Sequence, residues 1–110
     1  MKKLLSVILV AIALFSFVVA TPALAGDVAK GKQIFVSECY ACHKGGKNLV
    51  KDFKTLKRED LEKYDKYSLE KIIDQITYGN SPMPGFQGYL TPVEIEDVAT
   101  YVLEQAEKGW

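Results

Sequence analysis

Cys39-Tyr40-Ala41-Cys42-His43 is the stretch around which this chain must fold, because it holds both cysteines and the single histidine among 110 residues. The C-x-x-C-H spacing is typical of c-type haem attachment, in which two thiols add to the porphyrin vinyl groups and the next imidazole reaches the iron. Residues three apart on a helical segment share a face, so both sulfurs can meet one edge of a flat macrocycle. The motif therefore predicts a covalently bound haem with His43 as one axial iron ligand.

Three other interpretations of the motif explain less of the sequence. A dithiol redox pair usually lies beside a βαβ pattern, which this sequence does not show. A structural zinc site normally has four Cys or His ligands, and the chain has only three such residues. A haem-free structural disulfide would leave His43 without a role.

The first 25 residues have the features of a secretory leader. Lys2 and Lys3 precede an apolar run over residues 4–20, and Ala23-Leu24-Ala25 supplies a small-x-small cleavage pattern. An uncleaved membrane anchor is the alternative, because the run approaches the minimum spanning length of about 17 residues. We expect a signal peptide at 1–25, exported by the Sec route since no twin arginine is present, and one domain at 26–110.

The charge distribution argues against nucleic acid as a partner. Basic and acidic residues number 14 each, so the whole chain is formally neutral, whereas nucleic-acid-binding domains are strongly basic. The charges are unevenly placed: basic residues cluster just after the haem motif, at Lys44, Lys47, Lys51, Lys54, Lys57 and Arg58. Such a cluster is often only a solvated face, but it can also steer a charged partner during encounter.

The chain after the leader shows helical patterns and no convincing strand. Asp27 is a candidate N-cap for a first helix through about Glu38, which runs directly into the haem motif. Residues 44–54 contain Gly45-Gly46 and read as a loop. A second, short and polar helix is expected from about Thr55 through Tyr64.

Two further helices have clear boundaries in the sequence. Ser68 is the expected N-cap of the third helix, and Gly79 is its expected end. Thr91, Pro92 and Glu94 form the start of the last helix as cap, first-turn proline and capping box, and Gly109 ends it. The sequence therefore predicts an all-α domain of about four helices wrapped around one haem.

Met83 is the candidate for the second axial ligand. It is the only methionine after Met1 and lies between two prolines, Pro82 and Pro84, which restrict the loop and lower the entropy cost of holding a thioether against iron. Thioether ligation also raises the reduction potential, which suits an electron carrier. A loop methionine that packs on an aromatic ring is the alternative interpretation.

These features together resemble the class I cytochromes c, and more closely the cytochrome c6 family of photosynthetic carriers. The resemblance covers residues 26–110. The general class is indicated by Gly31, Phe35, the haem motif, Met83-Pro84 and Tyr101; the closer family is indicated by Gly45-Gly46, Asn48, Lys54-Thr55-Leu56, Ile73, Gln75, Gly79, Val102-Leu103 and Gly109-Trp110.

The resemblance implies a class I cytochrome c fold and a soluble, monomeric one-electron carrier rather than an enzyme, with one haem c. Its expected partners are cytochrome f of the cytochrome b6f complex and photosystem I, and its expected location is the thylakoid lumen of a cyanobacterium or algal plastid, or the periplasmic side of another bacterium. The resemblance also implies that Gln75 lies near the haem and tunes its potential, although a surface position is the alternative since Gln75 is off the apolar stripe. Phe86 is implied to pack near the haem.

Two positions depart from the pattern of the resemblance. Tyr89 stands where many relatives carry a basic residue that contributes to docking, and Glu38 stands where an asparagine is frequent. Two other functions stay open from the sequence: a small cytochrome c that donates electrons to a respiratory terminal oxidase, and a haem peroxidase or gas sensor with an open iron position. Met83 and the lack of a second histidine disfavour the open site.

Overall fold

A computed structural model describes residues 26–110, and the leader expected at 1–25 lies outside the described residues. Helices form the regular structure of this part of the chain, whose only strand-like pairings are two isolated bridges, Asn80–Met83 and Gln87–Leu90. The all-α prediction is therefore confirmed. None of the helices between residues 26 and 110 is long and apolar enough to cross a membrane.

The first helical stretch begins where the sequence predicts and continues further. Helix α1 spans Val28–Ile34, and the Asp27 side chain caps it by accepting a hydrogen bond from the backbone of Lys30. A π-helical turn at Phe35–Cys39 follows, and helix α2 at Tyr40–His43 completes the stretch. Turns of this wider type occur mostly within α-helices and often at functional sites. This one ends at the first cysteine of the haem motif.

The second predicted helix begins later than expected. Helix α3 spans Arg58–Lys63 and starts after Lys57, not at Thr55. The backbone N–H and the hydroxyl of Thr55 both donate to Oδ2 of Asp60, at 3.0 and 2.6 Å. These bonds hold Thr55 outside the helix as part of the turn that precedes it.

The last two helices have the predicted boundaries. Helix α4 spans Leu69–Tyr78, with the Ser68 hydroxyl accepting from the backbone of Lys71 and with Gly79 at its end. Helix α5 spans Pro92–Lys108, opens with the Thr91–Glu94 capping box and ends at Gly109. Both termini depend on side chains close in sequence, and such local capping signals can be read without tertiary information.

Gly31 sets the crossing of α1 over α5. A Cβ atom at this position would overlap the backbone carbonyl of Asp97 and lie 2.9 Å from Cβ of Tyr101. Only a residue without a side chain therefore allows the two helices to approach this closely. The Asp97 side chain, which is buried, accepts a hydrogen bond from the backbone N–H of Asp27 at 2.9 Å and ties the start of α1 to α5.

The core lies mainly between α5 and the helices packed on it, α1 and α4. The Phe35 ring lies 5.3 Å from the rings of both Tyr101 and Trp110, centre to centre. Buried apolar side chains surround this aromatic group: Ile34, Leu61, Ile72, Ile76, Leu90, Ile95, Val98, Ala99, Val102 and Ala106. Several of them also form a wall of the cavity described next.

Candidate haem site

A cavity of about 350 Å³ opens between the haem motif and the loop after α4. Its volume falls in the range usual for ligand and cofactor pockets, roughly 300–1,000 Å³. All six candidate site residues line it: Cys39, Cys42, His43, Gln75, Met83 and Phe86. The apolar part of the wall includes Phe35, Leu56, Leu61, Ile72, Ile76 and Val102. The fold thus brings residues 44 positions apart in the sequence, Cys39 and Met83, to one site.

The two cysteines lie at one side of the cavity as free thiols. Cys39 ends the π-helical turn and Cys42 lies on α2, so the change in helix type occurs at the first attachment position. Burial raises the pKa of the Cys39 thiol to about 11, with smaller contributions from the charges of Glu38 and Cys42. The site therefore disfavours a charged sulfur, and a thioether, which carries no charge, is compatible with it.

His43 is oriented by a backbone carbonyl. Its Nδ1 lies 2.9 Å from the carbonyl oxygen of Lys47. Since a carbonyl oxygen only accepts, this contact assigns the proton to Nδ1 and leaves the lone pair on Nε2. A neutral imidazole whose second nitrogen is held by a carbonyl is the usual arrangement of a metal-bound histidine.

Met83 is held by a short backbone turn and by a side-chain hydrogen bond. The backbones of Asn80 and Met83 bond to each other in both directions, at 3.1 and 2.9 Å. Nε2 of Gln75 donates to the Met83 sulfur at 3.4 Å. A surface location of Gln75, the alternative left open by the sequence, does not agree with this placement, because the side chain is half-buried in the cavity wall.

Phe86 and Tyr89 lie beyond the methionine turn. The backbone N–H of Phe86 donates to the carbonyl of Ile76 at 2.8 Å, which anchors the loop to α4. The rings of Phe86 and Tyr89 are 6.0 Å apart, centre to centre. The Tyr89 hydroxyl donates to a carboxylate oxygen of Glu38 at 3.4 Å. The two positions that depart from the family pattern are therefore neighbours at the rim, a pairing that the sequence did not reveal because 51 positions separate them.

The donor set fits a c-type haem. An apolar wall, two thiols at one side, an imidazole lone pair and a thioether match the attachment and axial ligands of such a group. Lys51, Lys54 and Lys66 also line the cavity, where their positive charge would suit the carboxylates of a porphyrin. Within residues 26–110 no cluster of three or more His, Cys, Asp and Glu side chains is arranged to bind a metal ion directly.

The chain is similar over its whole length to known proteins. A family model described as cytochrome c oxidase, cbb3-type, subunit III, matches residues 26–102. A cytochrome c6 from Nostoc sp. is 54% identical over 110 residues, covering 100% of this chain and 99% of the relative. A cytochrome c6 from Gloeothece citriformis is also 54% identical and covers 100% of both chains.

Solved structures give the same result for the fold. The crystal structure of cytochrome c6 from the diatom Phaeodactylum tricornutum superposes with a TM-score of 0.76 at 47% identity, covering 77% of this chain and 100% of that one. Cytochrome c6C from Synechococcus sp. PCC 7002 gives a TM-score of 0.72 at 36% identity, covering 74% and 99% of the two chains. The similarity to both of these cytochrome c6 relatives extends beyond residue 102, where the match to the oxidase-subunit model ends.

Proposed function

The chain belongs to the cytochrome c6 family, and we propose that it carries single electrons from cytochrome f of the cytochrome b6f complex to photosystem I. The observation that carries the proposal is the shared cavity of the His43 imidazole and the Met83 thioether. Bound as axial ligands, these two side chains would close both faces of an iron, which suits electron transfer and would leave no position for a substrate.

The cofactor is one covalently attached haem c, which when bound supplies an iron that alternates between the ferric and ferrous states. Cys39 and Cys42 hold it as thioethers, so that it does not dissociate between partners. His43 would bind the iron through Nε2, while its Nδ1–H donates to the Lys47 carbonyl. Met83 would bind the iron through its sulfur, and its turn and Gln75 hold the thioether in place for this role.

The apolar wall contributes by keeping water away from these ligands. Ile72, Ile76 and Val102 are 5–6% exposed and form part of the cavity lining. No general acid, base or nucleophile is required, and we assign no catalytic residue.

Docking to the partners is brief and guided by charge. The lysines after the haem motif include Lys51 and Lys54, which border the cavity. Three exposed apolar side chains lie in the same loop, Leu49, Val50 and Phe53, with 76%, 60% and 59% of their surface accessible. A small apolar contact with flanking charges is typical of redox encounters, and its electrostatic part weakens as salt rises.

The location follows from the proposed leader. Removal of residues 1–25 after Sec export would deliver the domain 26–110 to the thylakoid lumen or, in a bacterium without thylakoids, to the periplasmic side. Haem c is attached on that side of an energy-transducing membrane, and both proposed partners are accessible there.

Flash excitation of purified photosystem I tests the proposal. The flash oxidises photosystem I, which should then take an electron from the reduced protein. The rate of this electron transfer should fall as ionic strength increases. A purified terminal oxidase is the comparison. Faster oxidation by the oxidase than by photosystem I would favour the respiratory alternative, and failure to react with either would contradict the carrier function.

A further inference from the structure

Trp110 contacts the loop that follows the haem motif at two points. Its ring lies against Gly46, which is buried, and any Cβ atom added to Gly46 would overlap the indole. Its Nε1 donates to the backbone carbonyl of Leu56 at 2.9 Å. The ring is itself fixed on the core by Phe35, at 5.3 Å between centres, and by an edge contact with Tyr101 at 6.0 Å.

The two contact points are the two ends of one closed loop. The backbone N–H of Leu56 donates to the carbonyl of Gly46 at 2.7 Å, so residues 46 and 56 are paired directly. The Trp110 ring therefore covers Gly46, and its indole N–H bonds to Leu56, the other residue of this pair. Gly46 has φ of 77°, a left-handed conformation that leaves the indole face free to approach the backbone.

The next residue after Gly46 supplies the acceptor for His43. The Lys47 carbonyl lies 2.9 Å from Nδ1 of His43. Lys47 itself is exposed, and its backbone N–H donates a long hydrogen bond to the carbonyl of Lys44, at 3.3 Å. Its carbonyl lies between Gly46 and Asn48, whose side chain donates to the carbonyl of Lys54 and accepts from the backbones of Val50 and Lys51. The direction of the Lys47 carbonyl is therefore set from both sides, by Gly46 before it and by Asn48 after it.

We propose that Trp110 is a positioning residue for His43, acting through Gly46 and Leu56 to hold the Lys47 carbonyl on Nδ1. A carbonyl on the outer nitrogen fixes the ring orientation of a metal-bound histidine and raises its basicity as a ligand. This inference rests on the proposed axial role of His43. Trp110 would then affect the iron ligand His43, which lies 67 positions away in the sequence.

The proton on Nδ1 of His43 reports on this effect directly. The chain has one histidine, so nitrogen-15 labelling of histidine gives a single imidazole in the reduced, haem-containing protein. Trp110→Phe keeps an aromatic ring against Gly46 but removes the donor to Leu56, and Trp110→Ala removes both contacts. Val98→Ala is the control, because Val98 is fully buried between the helices and does not line the cavity.

For each variant, the exchange rate of the Nδ1 proton with water is measured, and its change is compared with the change in the free energy of unfolding. We expect exchange to accelerate by roughly tenfold in Trp110→Phe, the ratio for the loss of about one hydrogen bond, and by more in Trp110→Ala. Val98→Ala should lose stability without a matching acceleration. The reduction potential of Trp110→Phe should rise, because a weaker bond at Nδ1 makes His43 a weaker ligand for ferric iron.

Two results would overturn the inference, and they are distinguishable. If the exchange rates of all three variants follow their loss of global stability, Trp110 stabilises the fold and does not position His43. If the nitrogen-15 signals of the unaltered, haem-containing protein show a His43 imidazole that is not bound to iron, the axial assignment fails and this inference fails with it.

Discussion

Replacing Gln75 with leucine isolates one contact of the methionine ligand. Gln75 donates through Nε2 to the Met83 sulfur at 3.4 Å, within the cavity wall. Leucine has a similar volume and no donor, so Gln75→Leu removes the hydrogen bond while the wall stays filled. The amide hydrogen draws electron density from the sulfur and places positive charge near the iron. Both effects disfavour ferric iron, so their removal should lower the reduction potential.

The size of the effect follows from the strength of such a bond. A typical hydrogen bond contributes a net stabilisation of about 1 kcal/mol. The reduction potential of a one-electron couple changes by about 59 mV for each tenfold change in its equilibrium constant, which corresponds to about 1.36 kcal/mol. If the hydrogen bond stabilises the ferrous state relative to the ferric state by most of its energy, the reduction potential of Gln75→Leu should fall by about 40 mV.

Spectroelectrochemical titration at neutral pH measures this difference. Gln87→Leu is the matched control, because Gln87 is exposed and is not among the residues that line the haem cavity. We expect its potential to equal that of the unaltered protein. A potential for Gln75→Leu that is unchanged or higher would refute the reasoning, since the amide could then not be acting on the sulfur.

Three other variants test separate parts of the structure. Met83→Ala should keep its covalent haem but have a lower reduction potential, and an unchanged potential would contradict the axial assignment. Gly31→Ala should lower the free energy of unfolding by about 1–3 kcal/mol or more in chemical denaturation, because its Cβ overlaps the Asp97 carbonyl; an unchanged midpoint would refute the close crossing. Hydrogen bonds from Thr55 hold the pKa of Asp60 below its ordinary value of 3.8. The ionised Asp60 therefore stabilises the fold at pH values above 3.8, and this stabilisation is lost as the pH falls through the lower pKa of the folded state. Asp60→Asn should therefore lose less stability on acidification, and parallel pH profiles would contradict this.

Local signals in the sequence were sufficient for much of the helical structure. The boundaries of α4 and α5 agree with the prediction because Ser68 and the Thr91–Glu94 pair cap helices within three residues of their own position. Gly79 and Gly109 end these helices for a similarly local reason. The start of α3 was placed too early, since the bonds between Thr55 and Asp60 that exclude Thr55 from the helix cannot be inferred from helix periodicity.

The candidate site shows the same division. The haem motif, and Met83 as the candidate second ligand, could be identified from residue type and spacing. The π-helical turn at Phe35–Cys39 could not, because no composition rule distinguishes it from an ordinary helix. The contacts of Gln75 with Met83, of Glu38 with Tyr89 and of Trp110 with Leu56 also depend on tertiary packing.

Exposure of the reduced, unaltered protein to carbon monoxide at neutral pH tests the central claim most directly. If His43 and Met83 occupy both axial positions, the absorption spectrum of the reduced protein should not change during the time of mixing with carbon monoxide. Rapid formation of a carbon monoxide complex would show an open iron position, which would contradict the account and favour a gas sensor or peroxidase.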